Sequence, residues 1–172
     1  MKKRILAIGL VLSSTMLFAQ TKNPVSTVVR EILPRQQKNL VAAAELMPPD
    51  KYDYKPTSEQ ITFAHLMMHI AESNNRLCAT ISNTEAPKSG ELKETDGKDK
   101  LVAALKGSFD YCSSALAKVD DSNLGDAITL FGHEGPRAFA MFALTNDWAD
   151  HYSAAAMYLR LNGILPPTAK KK

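Results

Sequence analysis

The chain has little cysteine, glycine, proline or aromatic side chain: 2 Cys, 8 Gly and 9 Pro in 172 residues, with 7% aromatics. So little Gly and Pro excludes a collagen-like or low-complexity chain, and two cysteines exclude a disulfide scaffold. They are also too few and too far apart for a Cys-rich zinc site. No stretch alternates in the manner of a strand, and no internal repeat is visible. Charge of one sign is scarce as well. The net +3 rests on Lys2, Lys3 and Arg4, because the remaining 18 basic residues face 18 acidic ones. The rest of the chain is therefore neutral, which removes the electrostatic ground for nucleic-acid binding.

Only one long uncharged run exists, from Ile5 to Phe18, directly after the three cations and before Ala19. This is the pattern of a cleavable export signal over residues 1–19, and the run is short for a membrane span. An uncleaved anchor is the alternative. No Cys lies beside the cut, which argues against lipid attachment there. Cleavage after Ala19 leaves 153 residues, enough for one domain with a sizeable core. The expected organisation is a signal at 1–19, a folded domain at 20–167 and a basic tail at 168–172. The expected location is periplasmic or secreted, with no stable membrane insertion after cleavage. Export also lets Cys78 and Cys112 pair, where a reducing cytosol would keep them as thiols.

What the domain does have is helical periodicity. Val25, Val29, Ile32, Leu40, Ala43 and Met47 mark a first helix, interrupted by Pro34, which kinks it or marks its true start, and ended by Pro48–Pro49. Thr57 and Gln60 have the spacing of a capping box opening a second helix to about Ile81. The charged stretch 88–100 reads as a connection. Leu101, Leu105, Phe109, Cys112, Leu116 and Val119 mark a third helix. A polar connection from Asp120 to Gly135 precedes a fourth helix, from near Pro136 to about Asn162, stopped by Gly163. The expected fold is all-α, a four-helix bundle. The long connection between helices two and three suits a crossover that leaves them parallel, with Cys78 and Cys112 at one end.

Four histidines are available for chemistry: His65, His69, His133 and His151. His65 and His69 are four apart, as are Asp147 and His151, so each pair shares a helix face. Asp147 and His151 fall on a stripe with Leu144, Ala154 and Tyr158 that should face inward. Buried polar groups need satisfaction, which either a metal or a mutual hydrogen bond supplies. His65 reads as a surface or core histidine, and His133, in Gly-His-Glu-Gly, as a loop residue. Met67 and Met68 read as core filling. No Ser-His-Asp or Cys-His arrangement offers metal-free nucleophilic catalysis.

The segments Ala44-Glu45-Leu46-Met47-Pro48, Met68-His69-Ile70-Ala71-Glu72 and HYSAAAMYLRLNGILPP, from His151 to Pro167, resemble the DinB-like superfamily of metal-binding four-helix bundles. The resemblance implies a crossed second connection and a divalent metal, often zinc or nickel, held by one histidine of helix two and an HxxxH pair of helix four. It places the ligands at His69, Asp147 and His151, with Asp147 where relatives carry histidine. Ala154 stands where relatives often have Gln, and His65 has no counterpart among the usual ligands. Carboxylate ligation suits zinc, and two histidines with one carboxylate also suit non-haem iron. His65 would then be a substitute ligand or a donor behind the ligands. The expected function is an exported metal-dependent enzyme of hydrolase or transferase type acting on an unknown small molecule. The alternative is a non-catalytic bundle binding metal or ligand through a degenerate site. Relatives include thiol-dependent transferases and a thiol-using isomerase. A homodimer is compatible with the chain.

Overall fold

A computed structural model describes residues 22–88 and 90–169. The expected export segment 1–19 and the last three lysines lie outside the described residues. Four helices follow in order: α1 (Pro24–Leu46), α2 (Phe63–Ser82), α3 (Lys98–Leu116) and α4 (Arg137–Leu161). Among the described residues no helix is long and apolar enough to cross a membrane.

The helix directions follow from side-chain pairs. Cys78 meets Cys112 and Asn74 meets Ser108, so α2 and α3 run parallel. The connection between them therefore crosses the length of the bundle, as its length implies. Tyr158 reaches Ile61, and Arg137 reaches Thr80 and Ile81, so α4 runs antiparallel to α2. Arg30 bonds the Leu116 and Val119 carbonyls while Lys98 bonds those of Glu45 and Met47, so α1 is antiparallel to α3. The apolar stripes meet inside. Leu40, Phe63, Ile70, Leu101, Leu105, Phe109, Leu144 and Trp148 are fully buried.

The pairing that export would permit is present. Cys78 and Cys112 are bonded, with Cα atoms 5.3 Å apart and a sequence separation of 34. Beside it runs a buried polar line. Trp148 Nε1 donates to Asn74 Oδ1 at 2.7 Å, Asn74 Nδ2 donates to Ser108 Oγ at 3.0 Å, and Ser108 donates to the Leu105 carbonyl. Three helices are fixed in register by one chain of satisfied donors.

The starts of α1 and α2 depart from expectation, and the end of α4 agrees with it. α1 runs unbroken through Pro34 from Pro24, so the proline neither starts nor divides it. Its first turn is capped from a distance, because the Asp121 carboxylate accepts the Val25 and Ser26 amides at 2.8 Å each. α2 is not opened by a Thr57–Gln60 capping box. Thr57 and Gln60 form a turn, and the cap is Thr62, whose hydroxyl accepts the His65 amide. Main-chain bonds from Phe63 to Tyr54 and from Ala64 to Tyr52 hold this segment against the preceding loop. α4 ends as its glycine implies. Gly163 takes φ 73, and the Gly163 and Ile164 amides bond the Arg160 and Leu159 carbonyls.

Two short strands also form where no stretch of sequence alternates clearly. Within the 120–135 connection lies an antiparallel hairpin, β1 (Ala127–Leu130) against β2 (His133–Pro136). It has almost no apolar alternation because it is mostly exposed. Leu130 is its only buried residue. Phe131 and Gly132 make its turn with φ of 53 and 78, and Arg76 stacks on the Phe131 ring at 4.9 Å.

Candidate metal centre

Antiparallel packing of α2 on α4 brings His69 opposite Asp147 and His151. One ligand-capable atom from each lies within 4.8 Å of the others. The two imidazoles meet at 4.9 Å between ring centres, tilted by 60°. These are the three residues that the family resemblance names as ligands, and the structure brings them together. The stripe that carries Asp147 and His151 is buried at Leu144 and Tyr158 and half-buried between them, where it faces a cleft rather than a sealed core.

His151 Nδ1 sits 2.7 Å from the Asp147 main-chain oxygen and 3.2 Å from Asp147 Oδ2. The carbonyl is the nearer acceptor for an Nδ1 proton, and Oδ2 is buried with no hydrogen bond of its own beyond that longer contact. A buried carboxylate oxygen left in this state is costly. With Nδ1 committed as the donor, Nε2 of His151 keeps a free lone pair. Burial works against charging His151, yet the adjacent Asp147 carboxylate outweighs it and the net displacement of its pKa is upward. His69 moves the other way. Burial, and then the neighbouring His151, lower its pKa and favour the neutral form that ligates metal. Ser73 Oγ lies 3.5 Å from His69 Nε2, the long edge of hydrogen bonding.

The cleft beside the trio has a volume of about 490 Å³ and is walled by Ile61, His65, Leu66, His69, His151, Ala154, Met157 and Tyr158. Ala154, a small side chain, forms part of this wall. Tyr158 donates its hydroxyl to the Ile61 carbonyl at 2.7 Å, which pins the segment before α2 onto α4. Burial pushes the Tyr158 phenol pKa up.

His65 lies on this cleft, half-exposed, and is neither a sealed core residue nor part of the trio. Its Nδ1 is 2.9 Å from Glu94 Oε2, in the α2–α3 connection. Sequence reading missed Glu94, which is one of several acidic residues in a charged stretch with no spacing to single it out. His133 is exposed on β2 and takes no part in the cleft. Met67 is core, as expected, and Met68 packs at its edge.

The bundle thus has a crossed second connection and a histidine–carboxylate cluster between its second and fourth helices. The sequence profile of the DinB superfamily matches residues 32–152, and the chain belongs to that family. Among solved structures it is similar to a DinB-like protein from Bacillus cereus ATCC 10987, at 13% identity and TM-score 0.68, covering 83% of this chain and 95% of that one. It is equally similar to a DinB-like protein from Bacillus subtilis, at 18% identity and TM-score 0.68, covering 84% and 99%. A conserved protein from Enterococcus faecalis aligns at 17% identity and TM-score 0.65, covering 80% and 96%. At these identities the likeness concerns the fold. No curated protein matches the sequence.

Proposed function

We propose that the chain is an exported, metal-dependent enzyme of the DinB superfamily that holds one divalent cation through His69, Asp147 and His151. The observation that carries the proposal is Asp147 Oδ2, buried and without a hydrogen-bond partner, on a carboxylate that has an oxygen within 4.8 Å of a ring nitrogen of both His69 and His151. A cation satisfies that oxygen more fully than the 3.2 Å contact with His151 Nδ1 does. Zinc–ligand distances of about 2.0–2.2 Å require the three side chains to draw slightly closer, which rotamer movement on half-buried helices allows. Two nitrogens and one oxygen suit zinc or nickel, and iron is the third option.

When bound, such a cation supplies Lewis acidity toward a carbonyl or a bound water. The chain's own residues do the rest. Ile61, Leu66, Met157 and Tyr158 give the cleft apolar walls for a small-molecule substrate, and the neutral domain offers nothing to nucleic acid. Hydrolysis is the favoured reaction over thiol transfer, because small thiols are scarce outside the cytoplasm. The disulfide supports an oxidising location and therefore the export reading.

A second reading, a non-catalytic metal or ligand binder, draws support from the contact between Asp147 and His151, which partly satisfies the pair without metal. Turnover separates the two. An enzyme hydrolyses members of an ester and amide panel in a chelator-sensitive manner that the His151→Ala variant lacks. A binder shows no turnover at any metal loading. Intact mass of the protein from the cell envelope tests export, with cleavage after Ala19 as the expected result.

A further inference from the structure

His65 faces the cleft from one turn before His69, and its Nδ1 is bound by Glu94 Oε2 at 2.9 Å. Its Nε2 makes no hydrogen bond to any described residue. Glu94 is not a stray loop carboxylate. It lies in a turn closed by the Lys93 amide on Asp96 Oδ2 and the Asp96 amide on the Lys93 carbonyl, each at 2.9 Å. Lys100 grips Asp96 at 2.8 Å, and Lys98 ties the start of α3 to the end of α1. The turn is therefore anchored on its C-terminal side, and the carboxylate is delivered to one imidazole nitrogen. The hydrogen bond to His65 outweighs the opposing effect of burial and holds the Glu94 carboxyl below its ordinary range, so it stays an ionised acceptor. A carboxylate on Nδ1 fixes the tautomer that leaves Nε2 as a base.

We propose that His65 is the proton-transfer residue of the cleft, with Glu94 as its positioning residue, in hydrolysis of an ester or amide. The proposal rests on the reading of the His69–Asp147–His151 trio as a metal site, since those residues place the substrate. A water in the cleft gives a proton to His65 Nε2 as its oxygen bonds to the carbonyl carbon. The same proton passes to the departing alcohol oxygen or amine nitrogen as the carbon–heteroatom bond breaks. Water is added across the bond, the histidine is regenerated, and no electron is gained or lost. The other titratable groups around the cleft are His69 on α2, and Asp150, His151 and Tyr158 on α4. Among the titratable groups of the cleft only His65 is hydrogen-bonded by a carboxylate from outside its own helix, although His69 also lies near the Asp147 carboxylate of α4.

The test uses the full chain loaded with zinc, p-nitrophenyl acetate as the probe ester, and long-range proton–nitrogen spectra of the histidine rings. His65→Gln is expected to keep the wild-type zinc content and melting temperature while kcat falls about 100-fold with KM little changed. Glu94→Gln is expected to lose about tenfold in kcat, and its His65 to shift from the Nδ1–H tautomer to a mixture with Nε2–H. That tautomer shift is a readout that loop packing alone does not move. Variants that hydrolyse the ester as wild type does, a wild-type His65 with its proton on Nε2, or a zinc-bound His65 Nε2 each overturn the proposal. So does a zinc-loaded wild type with no hydrolysis above the His151→Ala background. Failure of the metal reading appears separately, as a wild type that takes up no zinc while the His65 tautomer remains as described.

Discussion

Trp148 donates its indole N–H to Asn74 Oδ1 at 2.7 Å, in the closed space between α4 and α2. Trp148 is the neighbour of Asp147, and Asn74 lies little more than one turn beyond His69, so this bond fixes the register that places the trio. Asn74→Ala leaves the indole donor buried without a partner and opens a small void. The expected cost is about 2–4 kcal/mol, read as a lower urea midpoint at unchanged m-value. Zinc affinity should fall in the same variant, although no ligand is altered.

The disulfide spans 34 residues. Loop entropy in the unfolded chain assigns such a link about 4 kcal/mol. The Cys78→Ser/Cys112→Ser double variant should therefore unfold at a markedly lower urea concentration while keeping the helical circular dichroism of the parent. Mass spectrometry of the untreated protein should find no free thiol, and two free thiols would contradict the assignment.

His69 and His151 should titrate in opposite directions from their ordinary value of 6.5. For His151, whose pKa is raised by folding, the stabilising contribution is fully present below 6.5 and is lost as pH rises through the raised value. For His69, whose pKa is lowered, the contribution is present above 6.5 and is lost as pH falls toward the lowered value. In the metal-free protein, imidazole NMR should show His151 taking up its proton at a higher pH than His69. The reverse order would contradict the geometry of the Asp147 pair. Because a metal ligand must be neutral, zinc affinity should fall on acidification first through His151.

Asp121→Ala removes the carboxylate that caps α1. Its carboxyl is held below the ordinary range: burial works against that, but hydrogen bonds from Ser26, backbone and side chain, and from the Val25 amide outweigh it. The variant should lose a few degrees in melting temperature and lose hydrogen-exchange protection in the first turn of α1. Its zinc content should not change. Acid should mimic the substitution, since the stability from a lowered carboxyl is lost as pH falls through its folded value.

The four helices were legible because their apolar residues recur at three and four and because Pro48, Gly163 and similar breakers bound them. The crossover was legible from the length of one connection, and the trio from two four-residue spacings joined to a family likeness. What stayed hidden depends on partners far away in sequence. The cap of α1 is Asp121, nearly a hundred residues from the amides it binds. Glu94 is chosen by where the crossover lands on His65, which local spacing does not encode. The 127–136 hairpin buries only Leu130, so its alternation is too weak to see. Thr57–Gln60 matched a capping pattern, but tertiary bonds moved the start of α2 to Thr62.

The central claim is that His69, Asp147 and His151 hold a divalent cation. Elemental analysis of protein purified without chelator, followed by zinc and nickel titration calorimetry of the stripped protein, tests it most directly. The account predicts one divalent ion per chain in the wild type, lost in both Asp147→Ala and His151→Ala while each variant stays folded. A wild type that arrives empty and takes up neither metal would contradict it.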